Sequence, residues 1–153
     1  MKHFIKTALL TATLGLSIAA LPAQADETSD NAKVQTREHM MAGIGGAMGT
    51  LGCYMKGECD LPKGVVHLLA EGIAYSASTG PAVFKDQTPD ATHKTTASAD
   101  IWTDWDNFAD HFPKLQENAL KLAEVAGDKS AMGPIMGEMG KLCKDCHDDY
   151  RTK

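Results

Sequence analysis

The strongest hydrophobic periodicity in the chain runs through residues 31–56, where Val34, Arg37, Met41, Ile44, Met48, Leu51 and Met55 recur three and four positions apart. On a helix this spacing sets all seven side chains along one seam. Gly57 then fits a helix stop. A second, shorter helix is expected over residues 61–76, with Asp60 as its cap and Val65, Leu68, Leu69, Gly72 and Ile73 turned inward. Residues 79–98, with Gly80-Pro81, Pro89 and a polar Thr/Ser/Lys run, show no periodicity and read as a surface linker. A third helix follows over residues 104–126, its stripe being Trp105, Phe108, Phe112, Leu115, Ala119 and Leu122. Pro113 falls inside it, where a kink near residues 109–112 is expected, and Gly127 ends it. A fourth helix starts between Ser130 and Pro134 and reaches Arg151, with Ile135, Met139, Leu142 and Cys146 in its stripe. No strand-type alternation of useful length is present. Four amphipathic helices with one longer connection predict an all-α, antiparallel four-helix bundle.

The first 25 residues change the picture of where this bundle works. Lys2 and Lys6 precede an uncharged apolar run over residues 7–21, and Ala23-Gln24-Ala25 supplies a small-x-small cleavage site. This is the pattern of a secretory signal peptide, and its apolar run is shorter than a bilayer span requires. Residues 26–153 would then form one exported, periplasmic domain. The signal holds two lysines and no acid, so its removal takes the formal charge from −5 to −7. Such a protein has no electrostatic footprint for nucleic acid and, once the signal is cleaved, no segment suited to a membrane. It would be drawn to basic patches on redox partner proteins.

The candidate chemistry sits near the end, at Cys143-Lys144-Asp145-Cys146-His147. C-x-x-C-H is the attachment signature of a c-type haem. Two thiols on one side of a helical turn can each form a thioether to a haem vinyl, and His147 rises from the same face to reach the iron. A zinc site would need a second Cys/His cluster, and none of suitable spacing exists. A thioredoxin-like motif would need a βαβ setting, which is also missing. With only 6% aromatic residues, the bundle would take much of its flat, rigid core from one enclosed, covalently attached haem c.

Cys53 and Cys59 remain. An even pair in an oxidising compartment suggests a disulfide, against the alternative of two unpaired thiols. In one continuous helix they would lie about 9 Å apart in rise, beyond bridging, so the bond requires the chain to turn near Gly57.

A haem motif closing a four-helix bundle resembles the class II cytochromes c, the family of cytochrome c′ and its low-spin, methionine-ligated relatives. In class I cytochromes c the motif lies near the N-terminus; here only six residues follow His147. The run from Cys143 to Arg151 is similar to the family's terminal C-K-x-C-H-D-D-[FY]-R, and Asp100-Ile101-Trp102-Thr103-Asp104 to its E-I-W-S-D segment. Arg37 opens an R-x-x-x-[ML] pattern that ends at Met41, and Lys56-Gly57-Glu58 resembles the end of the family's first helix. The resemblance implies that Arg37 neutralises a haem propionate with Glu38 beside it, where the family often has Gln. It implies that Thr95 and Thr96 touch the haem edge and that Arg151 holds positive charge near His147.

Met41 shares a helix face with Arg37. If its sulfur binds the iron opposite His147, the site is closed, low-spin and suited to electron transfer. If it only packs there, the site is five-coordinate and open to NO or CO. Both states occur in the family, and a methionine stripe is often mere core filler. The glycines at 43, 45, 46, 49 and 52 favour ligation, because their helical cost makes sense where backbone must approach the haem or a neighbouring helix closely. His39 should point away; His67, His93 and His111 read as exposed or structural, and Trp102 and Trp105 as packing beside the pocket. The expectation is a single-haem electron carrier and not an enzyme, since no distal His/Arg pair shares a face. The alternative is a gas-binding protein with His147 alone. Whether the domain works as a monomer or a homodimer is left open.

Overall fold

The structure is a computed structural model and describes residues 23–152. The expected signal peptide lies outside the described residues, apart from its last three positions, at which the first helix begins. Five helices follow in order: α1 (Ala23–Lys56), α2 (Lys63–Phe84), α3 (Asp100–Thr103), α4 (Trp105–Glu124) and α5 (Lys129–Tyr150). The four long ones form the bundle, α1 packing on α2, α2 on α4 and α4 on α5. Among the described residues there is no strand, only one isolated bridge between Ala97 and Arg151.

α1 buries the seam that its periodicity predicts, with Val34, Arg37, Ile44 and Leu51 inside and Met41, Met48 and Met55 half-buried. Gly57 stops it with φ +74°, a left-handed conformation that costs glycine little. Cys53 and Cys59 meet across this turn, their Cα atoms 5.5 Å apart, a separation that a disulfide spans.

α2 departs from its expected form. Asp60 does not cap it: the residue before it is Pro62, which makes no side-chain cap bond. The helix also continues through Gly80 and Pro81 to Phe84, so the linker begins six residues later than composition suggests. Val65, Leu68 and Gly72 are exposed, and the buried row is Val66, Ala70, Ile73, Ala74, Ala77 and Gly80. Small residues win that face because α4 brings bulky ones. At Gly80 the Phe112 ring comes so close that a Cβ would stand 2.1 Å from it.

The third expected helix is α4, and a further short helix, α3, precedes it. Asp104, at φ −123° and ψ 44°, separates α3 from α4. α4 buries the predicted stripe from Phe108 to Leu122 and runs unbroken through Pro113. α5 starts at a defined cap, the Asp128 carboxylate accepting from the Ser130 and Ala131 amides, and the Ser130 hydroxyl at 2.7 Å first, with these amides, holds the carboxyl below its ordinary pKa.

The core has two parts. One, around Leu51, Ile73, Leu122 and Met139, fills the end of the bundle near the α1–α2 turn. The other is aromatic, with Phe108 in edge contact with Phe84, Phe112 and Tyr150. The second forms a wall of the site.

Candidate functional site

α1 and α5 barely touch. Between them lie two cavities, of about 520 Å³ and 220 Å³. Four residues line both: Met41 and Gly45 from α1, Cys146 and His147 from α5. The pair of cavities is therefore one slot, passing on either side of the C-x-x-C-H turn. Helical spacing explains the facing arrangement, since positions four apart share a face on each helix.

On α5, Cys143 and Cys146 are unpaired and partly buried. Burial raises both thiols, Cys146 to about 11 with further contributions from Cys143 and Asp149. His147 moves the other way: partial burial lowers its pKa, Arg151 adds to this, and Asp148 opposes it. A neutral imidazole is the form that binds iron.

On α1, Arg37 lines the larger cavity, yet its guanidinium is already engaged. Nε donates to the Val83 carbonyl at 3.2 Å, Nη1 to Thr88 Oγ1 at 3.3 Å and Nη2 to the Asp86 carbonyl. It also lies 5.4 Å from the ring centres of Phe84 and Trp102. Burial lowers its pKa against the pull of Asp30 and Asp86, and it stays charged. One turn of α1 also carries Glu38, whose Oε2 meets His93 Nε2 at 2.9 Å. The linker is further pinned where Asn31 Oδ1 accepts from the Thr92 and His93 amides.

The linker and the chain end close the far side. The Ser98 amide donates to the Tyr150 carbonyl at 3.0 Å and the Thr152 amide to Thr96 at 2.8 Å. Arg151 Nε donates to Thr96 Oγ1 at 3.3 Å. Thr95, Thr96 and Arg151 thereby line the larger cavity. Tyr150 hydrogen-bonds the Asp104 carboxylate at 2.6 Å; this bond first, and burial second, push its pKa up to about 12.

Every residue singled out for haem contact thus lines the larger cavity, whereas Cys143 lines the smaller one. Sequence reasoning missed the apolar wall of Phe84, Ile101, Phe108 and Tyr150, and it read as exposed or structural His111, which lines the smaller cavity. The four-residue step from Phe108 to Phe112 carries His111 round to α5, and that stripe was the available signal. Trp102 does flank the site, donating to the Phe84 carbonyl at 2.9 Å. The glycine argument needs correction. A Cβ at Gly43, Gly45, Gly46, Gly49 or Gly52 would meet nothing within 4 Å, so no neighbouring helix approaches there. Of the five, only Gly45 faces the slot.

The family described as Cytochrome C′ matches residues 32–151. The chain belongs to the cytochrome c′ family. Among curated cytochromes, cytochrome c-556 of Agrobacterium tumefaciens (strain B2A) is 34% identical over 123 residues, 79% of this chain and 98% of that one. Cytochrome c′ of Rhodospirillum rubrum is 31% identical over 150 residues, 97% of this chain and 99% of its own. In structure, cytochrome c′ from Rhodopseudomonas palustris superposes with a TM-score of 0.72 at 28% identity, covering 79% of this chain and 96% of that one.

The cytochrome c′ family binds one covalent haem c with its iron. The residues of this chain fit that group. Two unpaired thiols stand one turn apart beside a slot whose larger side is walled by apolar and aromatic side chains, with an imidazole on one helix and a thioether on the other.

Proposed function

We propose that this chain is a periplasmic electron carrier holding one haem c through Cys143 and Cys146, with His147 and Met41 as axial ligands. The observation that carries this reading is the position of Met41, the only sulfur on α1 that lines both cavities together with His147. Bound there, the iron would take up and release one electron, at a potential raised by methionine–histidine ligation. The chain's own residues do the rest. Phe84, Ile101 and Phe108 exclude water from the slot. Arg37, fixed by the Val83 and Asp86 carbonyls, sets a positive charge at its edge for the propionates, and Arg151 supplies a second. In this reading the chain is a carrier, because a bound Met41 thioether would close the position at which a substrate could be activated. Members of the family serve as electron carriers or gas-binding haem proteins of the periplasm. Among the described residues no helix is long and apolar enough to cross a membrane.

A second reading follows from the near-full-length match to a cytochrome c′. In it Met41 only packs in the slot, His147 is the single axial ligand, and NO or CO can enter opposite. Absorption spectra of the purified protein, oxidised and reduced, with and without CO, separate the two. A sharp low-spin spectrum unchanged by CO supports methionine ligation. A broad high-spin spectrum that shifts with CO supports the open site.

A further inference from the structure

Away from the mouth of the slot, a further open groove of about 410 Å³ runs between α2 and α4. Its floor includes Ala77 and Pro81 from α2 and Ala109, Phe112 and Pro113 from α4. Phe112 also lines the smaller cavity of the slot, together with His147. A single aromatic ring therefore stands between this groove and the space proposed for the haem. Phe84 and Phe108, which wall the larger cavity, pack against the same ring.

The groove is rich in hydrogen-bond acceptors. Proline has no amide, so Pro113 leaves the Ala109 carbonyl, one turn before it, without its helical partner. Pro81 does the same to Ala77, but Ala77 is fully buried, whereas Ala109 is half-buried and within reach of a ligand. The Asp106 and Asp110 carboxylates stand exposed at the rim, Asp110 pairing with Lys114 through Oδ2. The Ser78 hydroxyl donates to the Tyr75 carbonyl at 2.7 Å, so what it offers the groove is a lone pair. Residues 100–117 carry Asp100, Asp104, Asp106, Asp110 and Glu117, with Lys114 as their only lysine or arginine.

We infer that this groove is the docking point for a basic redox protein, which seats a lysine or arginine side chain in it and exchanges electrons with the haem across Phe112. Chemistry selects the occupant. The prolines and Phe112 suit the methylene stem of such a side chain, while the two carboxylates and the Ala109 carbonyl suit its N–H donors. Acidic groups around an aromatic contact steer a basic protein to that place and raise its encounter rate. A contact centred on one groove is small, as befits the brief encounters of electron transfer. The inference rests on the proposed role of the chain as an electron carrier.

The test is stopped-flow oxidation of the reduced, mature holoprotein at low ionic strength by tris(phenanthroline)cobalt(III), a cation, and by ferricyanide, an anion. One electron leaves the protein in each case, taking cobalt(III) to cobalt(II) or ferricyanide to ferrocyanide, and no bond is made or broken. Hexalysine, standing in for the partner's basic surface, should slow the cobalt reaction, and butylamine at matched ionic strength should not. Asp106→Asn with Asp110→Asn should slow the cobalt reaction at least about 5-fold and weaken hexalysine inhibition about 10-fold, while ferricyanide oxidation should not fall. Pro113→Ala returns an amide to the Ala109 carbonyl without changing charge, and should weaken hexalysine inhibition about 2–3-fold. Glu138→Gln, on an exposed site of α5, should leave that inhibition as it is. Unchanged Soret bands and helical circular dichroism would show that the variants are folded. Hexalysine inhibition that survives Asp106→Asn with Asp110→Asn, or that responds equally to Glu138→Gln, overturns the inference. Equal inhibition by butylamine would make the groove a small-amine site and overturn it too. A spectrum that shifts with CO would instead overturn the carrier reading, so the two failures are distinct.

Discussion

Gly80 meets the ring of Phe112 with no side chain between them: a Cβ on Gly80 would lie 2.1 Å from two of its carbons. Phe112 cannot retreat, because Phe84 and Phe108 hold it at centroid distances of 6.0 Å and 5.3 Å. Gly80→Ala should therefore destabilise the bundle by about 2–3 kcal/mol through overpacking, read as a lower denaturant midpoint. Adding Phe112→Leu should return part of the loss. Gly49→Ala, in open space on α1, should instead stabilise by about 0.5–1 kcal/mol.

That contact also shows why α2 was misread. Gly80-Pro81 looks like the end of a helix, and Val65 and Leu68 look like its core. Yet Pro81 is accommodated within the helix, and the buried row is mostly alanine because the aromatic bulk comes from α4. Size at a position says little about which face is buried when the partner's size is unknown. By contrast α1 and α4 carry large residues on their inner faces and were legible throughout. The slot was legible at Cys143, Cys146 and His147, where covalent chemistry dictates spacing. It was not legible at Phe84 or Ile101, which flank the linker and reach the slot only through the way the linker folds back onto the end of α5.

Arg37 ties the Val83 carbonyl near the end of α2, and the Asp86 carbonyl and Thr88 hydroxyl beyond it, to the first helix. Arg37→Met would remove three hydrogen bonds made by a buried cation and release residues 83–88, while Asp30 would keep its ion pair with Lys33. A loss of about 2–3 kcal/mol is expected from losing hydrogen bonds to a charged group and leaving their acceptors unpaired. Arg37→Lys should recover little, since an ammonium cannot reproduce the fork. Urea midpoints and the rate of proteolysis within residues 85–97 check both.

Tyr150 and Asp104 give the fold an alkaline limit. The phenol's folded pKa, about 12, stands above the ordinary value near 10, so folding favours the neutral form. The contribution is whole below about pH 10 and falls away as pH rises toward the folded value. Tyr150→Phe should cost about 1 kcal/mol at neutral pH, for one hydrogen bond to a solvated carboxylate. It should also flatten the decline in melting temperature between pH 9 and 11 that wild type is expected to show.

Cys53 and Cys59 are joined across the turn between α1 and α2. Thiol titration of the denatured, unreduced protein should then find no free sulfhydryl, provided that the other two cysteines carry the haem as proposed. Cys53→Ser with Cys59→Ser should lower stability by about 2 kcal/mol, the loop-entropy value for so short a ring. The haem spectrum should be unchanged, because neither cysteine lines either cavity.

Three methionines on α1 are close enough in sequence to compete for the iron, and the slot separates them. Met40 packs against both core clusters and lines neither cavity; Met48 lines only the smaller one; Met41 lines both. A thioether that binds opposite His147 must reach the space shared by the two cavities, which is where Met41 stands. Met41→Leu keeps the volume and removes the donor. It should convert a low-spin, CO-indifferent spectrum into a high-spin one that binds CO, and lower the reduction potential as the methionine ligand is lost. Met40→Leu and Met48→Leu should alter neither property. A Met41→Leu protein still low-spin in both oxidation states would show that another side chain holds the sixth position, and His111, on the rim of the smaller cavity, would be the next residue to replace.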